Sequence, residues 1–476
     1  MMDLLITNAT ILTMDPARRV IDRGAVAVKD GRIAAIGPAA NLPQTAAQVI
    51  DAGGNVLMPG LIDVHAHAGH GLIKTMGMDT GNRWEEICGE VYTVASPPSF
   101  WRAEARLASL ERLRFGVTCG VSLLGGGDTI MRTDRPDHGT AHCEGVASIG
   151  TRSVVAVGPT RAPHPRIYGD DGNRYPVSFD DQLATCRALI DRHHGRDGIQ
   201  MALLYPVLRD EHQAGMTFAD YATAVHQAQA TRALSRDLGV LFTQDGHEGG
   251  SVRRAEALGL LGPDALLSHA INLHDDEIGI CAETDTRIAH NPSAIASIRG
   301  RCPVIELRAA GVTVALGSDA TAPDRSSDMF RHIQQAMHYH RRHFRDASVL
   351  PPGEALAMAT IDAARAIGMD DRIGSLEVGK EADMILIDMH RPHLYPLNMP
   401  AYRVPCFANG NDVDTVVVAG RVLMQGGRPL HVDAARVLAE AQAEAEAMIA
   451  RIGGQADLAL PPGFWGQPLV RKGQHA

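Results

Sequence analysis

A chain of 476 residues is too long for one simple core and suits a large barrel with a companion domain. Its formal net charge of −10 and lack of any basic run argue against nucleic acid or an anionic membrane as partner. Hydrophobic content of 45% with 21% charged residues excludes a disordered chain. Seven scattered cysteines without a CxxC pair suit buried thiols in a reducing compartment, not a disulfide framework or a thiolate zinc site.

The opening MMDLLITNATILTMD has no positive charge ahead of its apolar stretch and reads as a strand, not a signal peptide. No stretch approaches the ~18 apolar residues of a membrane-spanning helix, so the cytoplasm is the expected location. Residues 1–58 alternate apolar runs with turns, the clearest being the Lys29-Asp30-Gly31-Arg32 hairpin. From 59 to 375 short apolar runs alternate with helical stretches, which predicts βα units around a parallel sheet. Eight strands are expected, at 61–64, 117–124, 153–157, 199–204, 240–243, 265–268, 287–289 and 313–316. Helices are expected at 100–114, 218–238 and 329–344. A second β region at 376–430 pairs with the first. The fold expected is therefore α/β: a (β/α)8 TIM barrel over 59–375, with a small β-sandwich domain from 1–58 and 376–430. Residues 431–476 read as a final Ala/Glu-rich helix and a tail.

Nearly every predicted barrel strand runs into something ionisable. Strand one leads to Asp63-Val64-His65-Ala66-His67 and strand five to Gln244-Asp245-Gly246-His247-Glu248. Strands six, seven and eight lead to His269, His290-Asn291 and Ser318-Asp319. In a barrel these ends open on one face, where the chemistry of such folds resides. His65 and His67 are two apart on extended backbone and project to the same side, so both imidazoles can chelate one ion. Imidazole and carboxylate together suit Zn²⁺, Fe²⁺, Co²⁺ or Mn²⁺.

These segments carry a resemblance. The run Met58-Pro59-Gly60-Leu61-Ile62-Asp63-Val64-His65-Ala66-His67 resembles the opening motif of the amidohydrolase superfamily. Ser268-His269-Ala270, His290-Asn291-Pro292-Ser293, Gly317-Ser318-Asp319 and 373–383 resemble its later motifs. The nearest branch is the ATZ/TRZ group of chlorohydrolases, nucleobase and S-adenosylhomocysteine deaminases, and phenylurea and molinate hydrolases. The resemblance implies a metal held by His65, His67, His269 and Asp319, zinc being the first expectation, and a metal-activated water attacking an sp² carbon that carries a nitrogen leaving group. Asp319 would act as general base. Members with two metals bridge them with a modified lysine on strand four. This chain has no lysine between Lys74 and Lys380, and 199–206 offers no acid, so one metal is expected.

Deaminases of the branch carry HxxE at the end of strand five. Here Gln244 stands where the ligand belongs and His247 where the acid belongs. His247 is then either the strand-five ligand or a proton donor, and Glu248 a displaced carboxylate. Gln244, Glu248 and His290 are expected to meet substrate, with His269 and His290 facing a developing negative charge. This departure favours hydrolysis of a urea, carbamate, amide or cyclic ureide. The alternatives are an aminohydrolase acting on a nucleobase- or triazine-like ring, and a non-catalytic scaffold. A small-molecule substrate is expected, with specificity in βα loops at 69–100, 125–150 and 159–180. A homo-oligomer is expected too, the arginine-rich helix at 329–345 being the candidate surface. Most histidines of that helix read as surface residues, and Gly125-Gly126-Gly127 as an anion cradle or a flexible loop.

Overall fold

The computed structural model describes residues 1–476 except 79–81, 127–128, 171, 210–214, 295, 297–298, 322–323, 462 and 467–476. Five strands open the chain: β1 (Met2–Leu12), β2 (Val20–Lys29), β3 (Arg32–Pro38), β4 (Ala46–Asp51) and β5 (Val56–Pro59). Then come β6 (Leu61–Asp63), β7 (Val117–Leu123), β8 (Arg152–Val157), a hairpin of β9 (Arg166–Asp170) and β10 (Asn173–Val177), β11 (Ile199–Leu204), β12 (Leu241–Gln244), β13 (Ala265–Ser268), β14 (Arg287–His290) and β15 (Val314–Leu316). Four more close it: β16 (Met384–Ile387), β17 (Val413–Val418), β18 (Arg421–Gln425) and β19 (Arg428–Pro429).

Eight strands form a parallel sheet in the order β15-β14-β13-β12-β11-β8-β7-β6. Its edges return to one another: the Val64 N–H donates to the Leu316 carbonyl at 3.2 Å and the Asp319 N–H to the His65 carbonyl at 2.8 Å. The result is a nearly closed eight-stranded barrel. Its strands are buried on both faces, and so β8 (RSVVAV) and β11 (IQMALL) read as continuous apolar runs rather than alternating ones. Close spacing at the rim requires Gly158, where a Cβ would lie 1.9 Å from the Leu204 carbonyl oxygen.

Apart from the β9–β10 hairpin, the remaining nine strands form one sheet, ordered β19-β18-β17-β16-β5-β1-β2-β3 with β4 beside β1. The antiparallel pairing of β5 with β16, from Val56↔Ile387 to Pro59↔Met384, joins the two ends of the chain. Leu4, Ile6, Val26, Val28, Leu386 and Val417 give this sheet a small core of its own. It is tied to the barrel by Arg152, which starts β8 and donates to both oxygens of Asp383 at 2.7 and 3.0 Å.

All eight expected barrel strands are present, with ends shifted by at most one residue, and the helix Met329–Phe344 lies as expected. The loops differ. Residues 69–100 hold the helix α1 (Arg83–Val94) and the start of α2 (Pro98–Arg114), and 125–150 is mostly the helix α3 (Pro136–Ile149). The polar, glycine-bearing sequence of α3 disguised it, but Pro136 suits its first turn and Gly150, with φ 95°, ends it. Residues 159–180 hold the β9–β10 hairpin. In the helix Met329–Phe344, His332 and His340 are fully buried while His338 and His343 are exposed. A spacing of eight returns to the same helical face, so both buried rings lie on the inward side. No helix among the described residues is long and apolar enough to cross a membrane.

Candidate metal centre

The C-terminal strand ends of the barrel bring three imidazoles and two carboxylates together. Asp245 Oδ1 lies 3.0 Å from His269 Nε2 and 3.3 Å from His65 Nε2, and its Oδ2 lies 3.4 Å from His67 Nε2. Asp319 Oδ1 lies 3.1 Å from His67 Nε2 and 3.5 Å from His65 Nε2, while its Oδ2 is 4.0 Å from His269 Nε2. Among the described residues, the groups close enough to share an ion are His65–His67–Asp245 and His65–His269–Asp319.

Several of these side chains are aimed by specific neighbours. The Gly125 carbonyl lies 2.9 Å from His67 Nδ1 and can only accept, so Nδ1 carries the proton and Nε2 presents a lone pair to the cluster. That gives the glycine run a role through its backbone; Gly127 lies outside the described residues. His70 stacks on His67 with ring centroids 4.7 Å apart, and the Tyr92 hydroxyl bonds His70 Nδ1 at 2.8 Å. Asn291 reaches His269 Nδ1 at 3.3 Å. The Ser268 hydroxyl donates to Asp245 Oδ1 at 2.6 Å. Asp63 accepts from the Ser318 N–H and hydroxyl at 2.9 and 2.6 Å, which pins the turn into Asp319. His269 (φ 69°) and Asp319 (φ 53°) are non-glycine residues in the left-handed region, a cost that functional sites commonly carry.

Burial works against the charges of Asp245 and Asp319. The surrounding histidines, with Arg325 beside Asp319, nevertheless hold both carboxyls well below the ordinary range. Burial likewise opposes protonation of His65, yet the two carboxylates push it up to about 10. His65 Nε2 is buried and makes no hydrogen bond of acceptable geometry. Donor atoms of five side chains, in nitrogen–oxygen contacts of 3.0–4.0 Å and with His65 Nε2 orphaned, fit a shared divalent cation, which would neutralise the paired carboxylates.

The strand-five register differs by one from the expectation. The residue at the cluster is Asp245, and neither Gln244 nor His247 belongs to the ion-sharing groups. Gln244 ends β12, and its Nε2 turns away to the Tyr205 carbonyl at 3.3 Å. The left-handed turn at Gly246 (φ 91°) then redirects the chain. His247 Nδ1 meets the Ser251 hydroxyl at 2.9 Å, and burial, with Arg209 nearby, pushes its pKa down to about 3. Glu248 pairs with Arg209 at 3.1 Å and its side chain is 44% exposed. His290 is buried with Nε2 3.4 Å from His340 Nε2 and its Nδ1 unpartnered, and burial and His340 hold its pKa well below the ordinary value. A signal for Asp245 was present: Asp245-Gly246-His247-Glu248 has the spacing of HxxE with an aspartate leading it.

Comparison with known proteins places this geometry in context. A profile described as the amidohydrolase family matches residues 180–423, just over half of the chain, and one for the bacterial imidazolonepropionase-like composite domain matches 24–48. The 5-methylthioadenosine/S-adenosylhomocysteine deaminase of Moorella thermoacetica is 31% identical over 92% of this chain and 97% of that protein. The 5'-deoxyadenosine deaminase of Methanosarcina acetivorans is 30% identical over 95% of this chain and 99% of that protein. Among solved structures, an adenosine deaminase from Xanthomonas campestris with bound zinc superposes with a TM-score of 0.81 at 24% identity, covering 94% of this chain and 99% of that one. The zinc complex of atrazine chlorohydrolase from Arthrobacter aurescens TC1 gives 0.77 at 22%, over 93% and 100%. Those two likenesses are of fold; the sequence relatives and the family profile, each spanning half of the chain or more, carry the assignment: the chain belongs to the amidohydrolase family.

Proposed function

We propose that this amidohydrolase hydrolyses a non-peptide C–N bond at an sp² carbon, with one divalent metal ion held by His65, His67, His269, Asp245 and Asp319. The observation that carries the reading is the convergence of those five side chains at the open ends of the barrel strands. A divalent ion held there supplies Lewis acidity, which lowers the pKa of water from ~16 towards ~7. Asp319, kept ionised by its imidazole and Arg325 neighbours, takes up the proton and returns it to the departing nitrogen. His290, neutral and with Nδ1 unpartnered, is the group we assign to substrate.

The sequence relatives favour ammonia release from a purine-like ring amine, and Glu248, three residues after Asp245, stands where a ring-protonating acid belongs. A second reading, a urea or carbamate hydrolase, is favoured by Glu248 itself, whose carboxylate is engaged by Arg209 and half exposed. The nine-stranded sheet is read as a small sandwich domain of 1–58 and 376–430 beside a barrel of 59–375.

The test is elemental analysis of the native chain and His67→Ala, followed by ammonia release from 5'-deoxyadenosine and other ring amines set against amine release from phenylureas and carbamates. About one equivalent of metal, lost in the variant, is expected, with turnover on one panel. A native chain that binds no divalent ion overturns the reading.

A further inference from the structure

Strand five meets the cluster with a carboxylate, and its surroundings are built for one. Asp245 Oδ1 accepts a 2.6 Å hydrogen bond from the Ser268 hydroxyl, itself fully buried at the end of the neighbouring β13. The Gly246 N–H donates back to the same hydroxyl at 3.3 Å. This closed ring sets the carboxylate so that Oδ1 faces His65 and His269 while Oδ2 faces His67. Across the cluster, Asp319 offers its own carboxylate to the same three rings. The donor set is therefore three imidazole nitrogens with two anionic oxygen ligands. Two carboxylates neutralise a divalent cation fully, and five protein donors with one water make six. Zinc favours four ligands, and its catalytic sites usually keep three protein ligands and a water. Carboxylate-rich octahedral sets suit Mn²⁺, and imidazole–carboxylate mixtures suit Fe²⁺.

We propose that Asp245, oriented by Ser268, tilts this centre away from Zn²⁺ and towards six-coordinate Mn²⁺ or Fe²⁺. The inference rests on the metal-site reading above and deepens it by naming the class of ion. Asp245→His restores an imidazole at that position and should return the preference to zinc.

The experiment uses the full-length chain stripped of metal by chelation. Mn²⁺ and Zn²⁺ dissociation constants are measured by competition against a chelating dye, for the native chain, Asp245→His and Ser268→Ala. The Zn²⁺ preference, Kd for Mn²⁺ over Kd for Zn²⁺, should be about tenfold smaller in the native chain than in Asp245→His. Ser268→Ala keeps all five donors and should weaken Mn²⁺ binding by about tenfold, more than it weakens Zn²⁺ binding. The visible spectrum of the Co²⁺-loaded native chain should show the weak bands of a six-coordinate ion, and the strong bands of a four-coordinate ion there would count against the proposal. Far-ultraviolet circular dichroism checks that each variant folds, and Ser268→Ala carries the test if Asp245→His does not. Equal selectivity in native and variant chains, with metal bound in both, overturns this inference and leaves the metal-site reading intact. A native chain that binds neither ion overturns both.

Discussion

Asp319 and Asp245 look alike in composition and differ in surroundings. Asp319 has Arg325 at 3.7 Å in addition to the imidazoles of the cluster, whereas Asp245 is held by the Ser268 hydroxyl, and both carboxyls are kept well below the ordinary range. Replacing Asp319 with asparagine should lower kcat by about 10²–10⁴-fold with little change in KM, measured by steady-state kinetics on metal-loaded protein. Near-native turnover would remove Asp319 from the proton path. Glu104 of α2 makes a different statement at the same scale. It is fully buried and accepts from the Gly71 N–H at 3.3 Å, and burial pushes its carboxyl from 4.5 up to about 7, against the Gly69 and Gly71 amides and Arg112. The folded chain therefore holds a proton that the unfolded chain has released between pH 4.5 and about 7. The stability this proton confers is complete below the unfolded value and is lost as pH rises through about 7. Glu104→Gln should gain about 3 kcal/mol over the native chain between pH 4 and pH 8 in urea unfolding, and a difference that does not vary with pH would refute the buried neutral acid.

At the scale of elements, the site depends on how closely the last barrel strand approaches the first. A Cβ on Gly317, just after β15, would lie 2.2 Å from Asn291 Oδ1 and 2.7 Å from His65 Cβ. Gly317→Ala must push two site residues apart, so it should cost about 1–3 kcal/mol of stability and weaken metal retention during dialysis against a chelator. Full retention would mean that the rim tolerates the shift. The helix Met329–Phe344 contributes through its inward face, where His340 meets His290 and the Ser293 hydroxyl lies 3.1 Å from His332 Nδ1. Its exposed arginines and histidines follow from the same 3.6-residue period, the outward face being polar.

At the scale of the whole molecule, the two sheets are joined by charge as well as by packing. Arg152 stands at the start of β8 and meets Asp383, just ahead of β16, with both side chains more than nine-tenths buried. Asp383 also accepts from the Ala419 N–H at 2.7 Å, and Glu381 adds a second carboxylate to Arg152 at 2.5 Å. Arg152→Ala leaves Asp383 buried without its counter-charge and should destabilise the chain by about 3–5 kcal/mol, read from the midpoint of chemical unfolding. A loss under 1 kcal/mol would show that water reaches the pair.

Several features were legible along the chain because they are local. Apolar runs of four to seven residues bounded by turns mark buried parallel strands, and an ionisable residue just past such a run marks the open end of a barrel. His65, His67, His269 and Asp319 were found in this way, and each stands in the cluster. Set beside the family resemblance, the missing lysine between Lys74 and Lys380 led to the expectation of a single metal. What the tertiary structure decided is how side chains point where a strand stops and the backbone turns. Gln244, Asp245 and His247 are neighbours in sequence, yet only Asp245 faces the histidines, because β12 ends at Gln244 and Gly246 adopts a left-handed conformation. The partners that aim the site are likewise remote in sequence. Gly125 holds His67 from 58 residues away and Asp63 holds Ser318 from 255, so no local period or motif connects them. Local periodicity is written into adjacent residues, whereas orientation at a strand end depends on barrel closure, which only the folded chain provides.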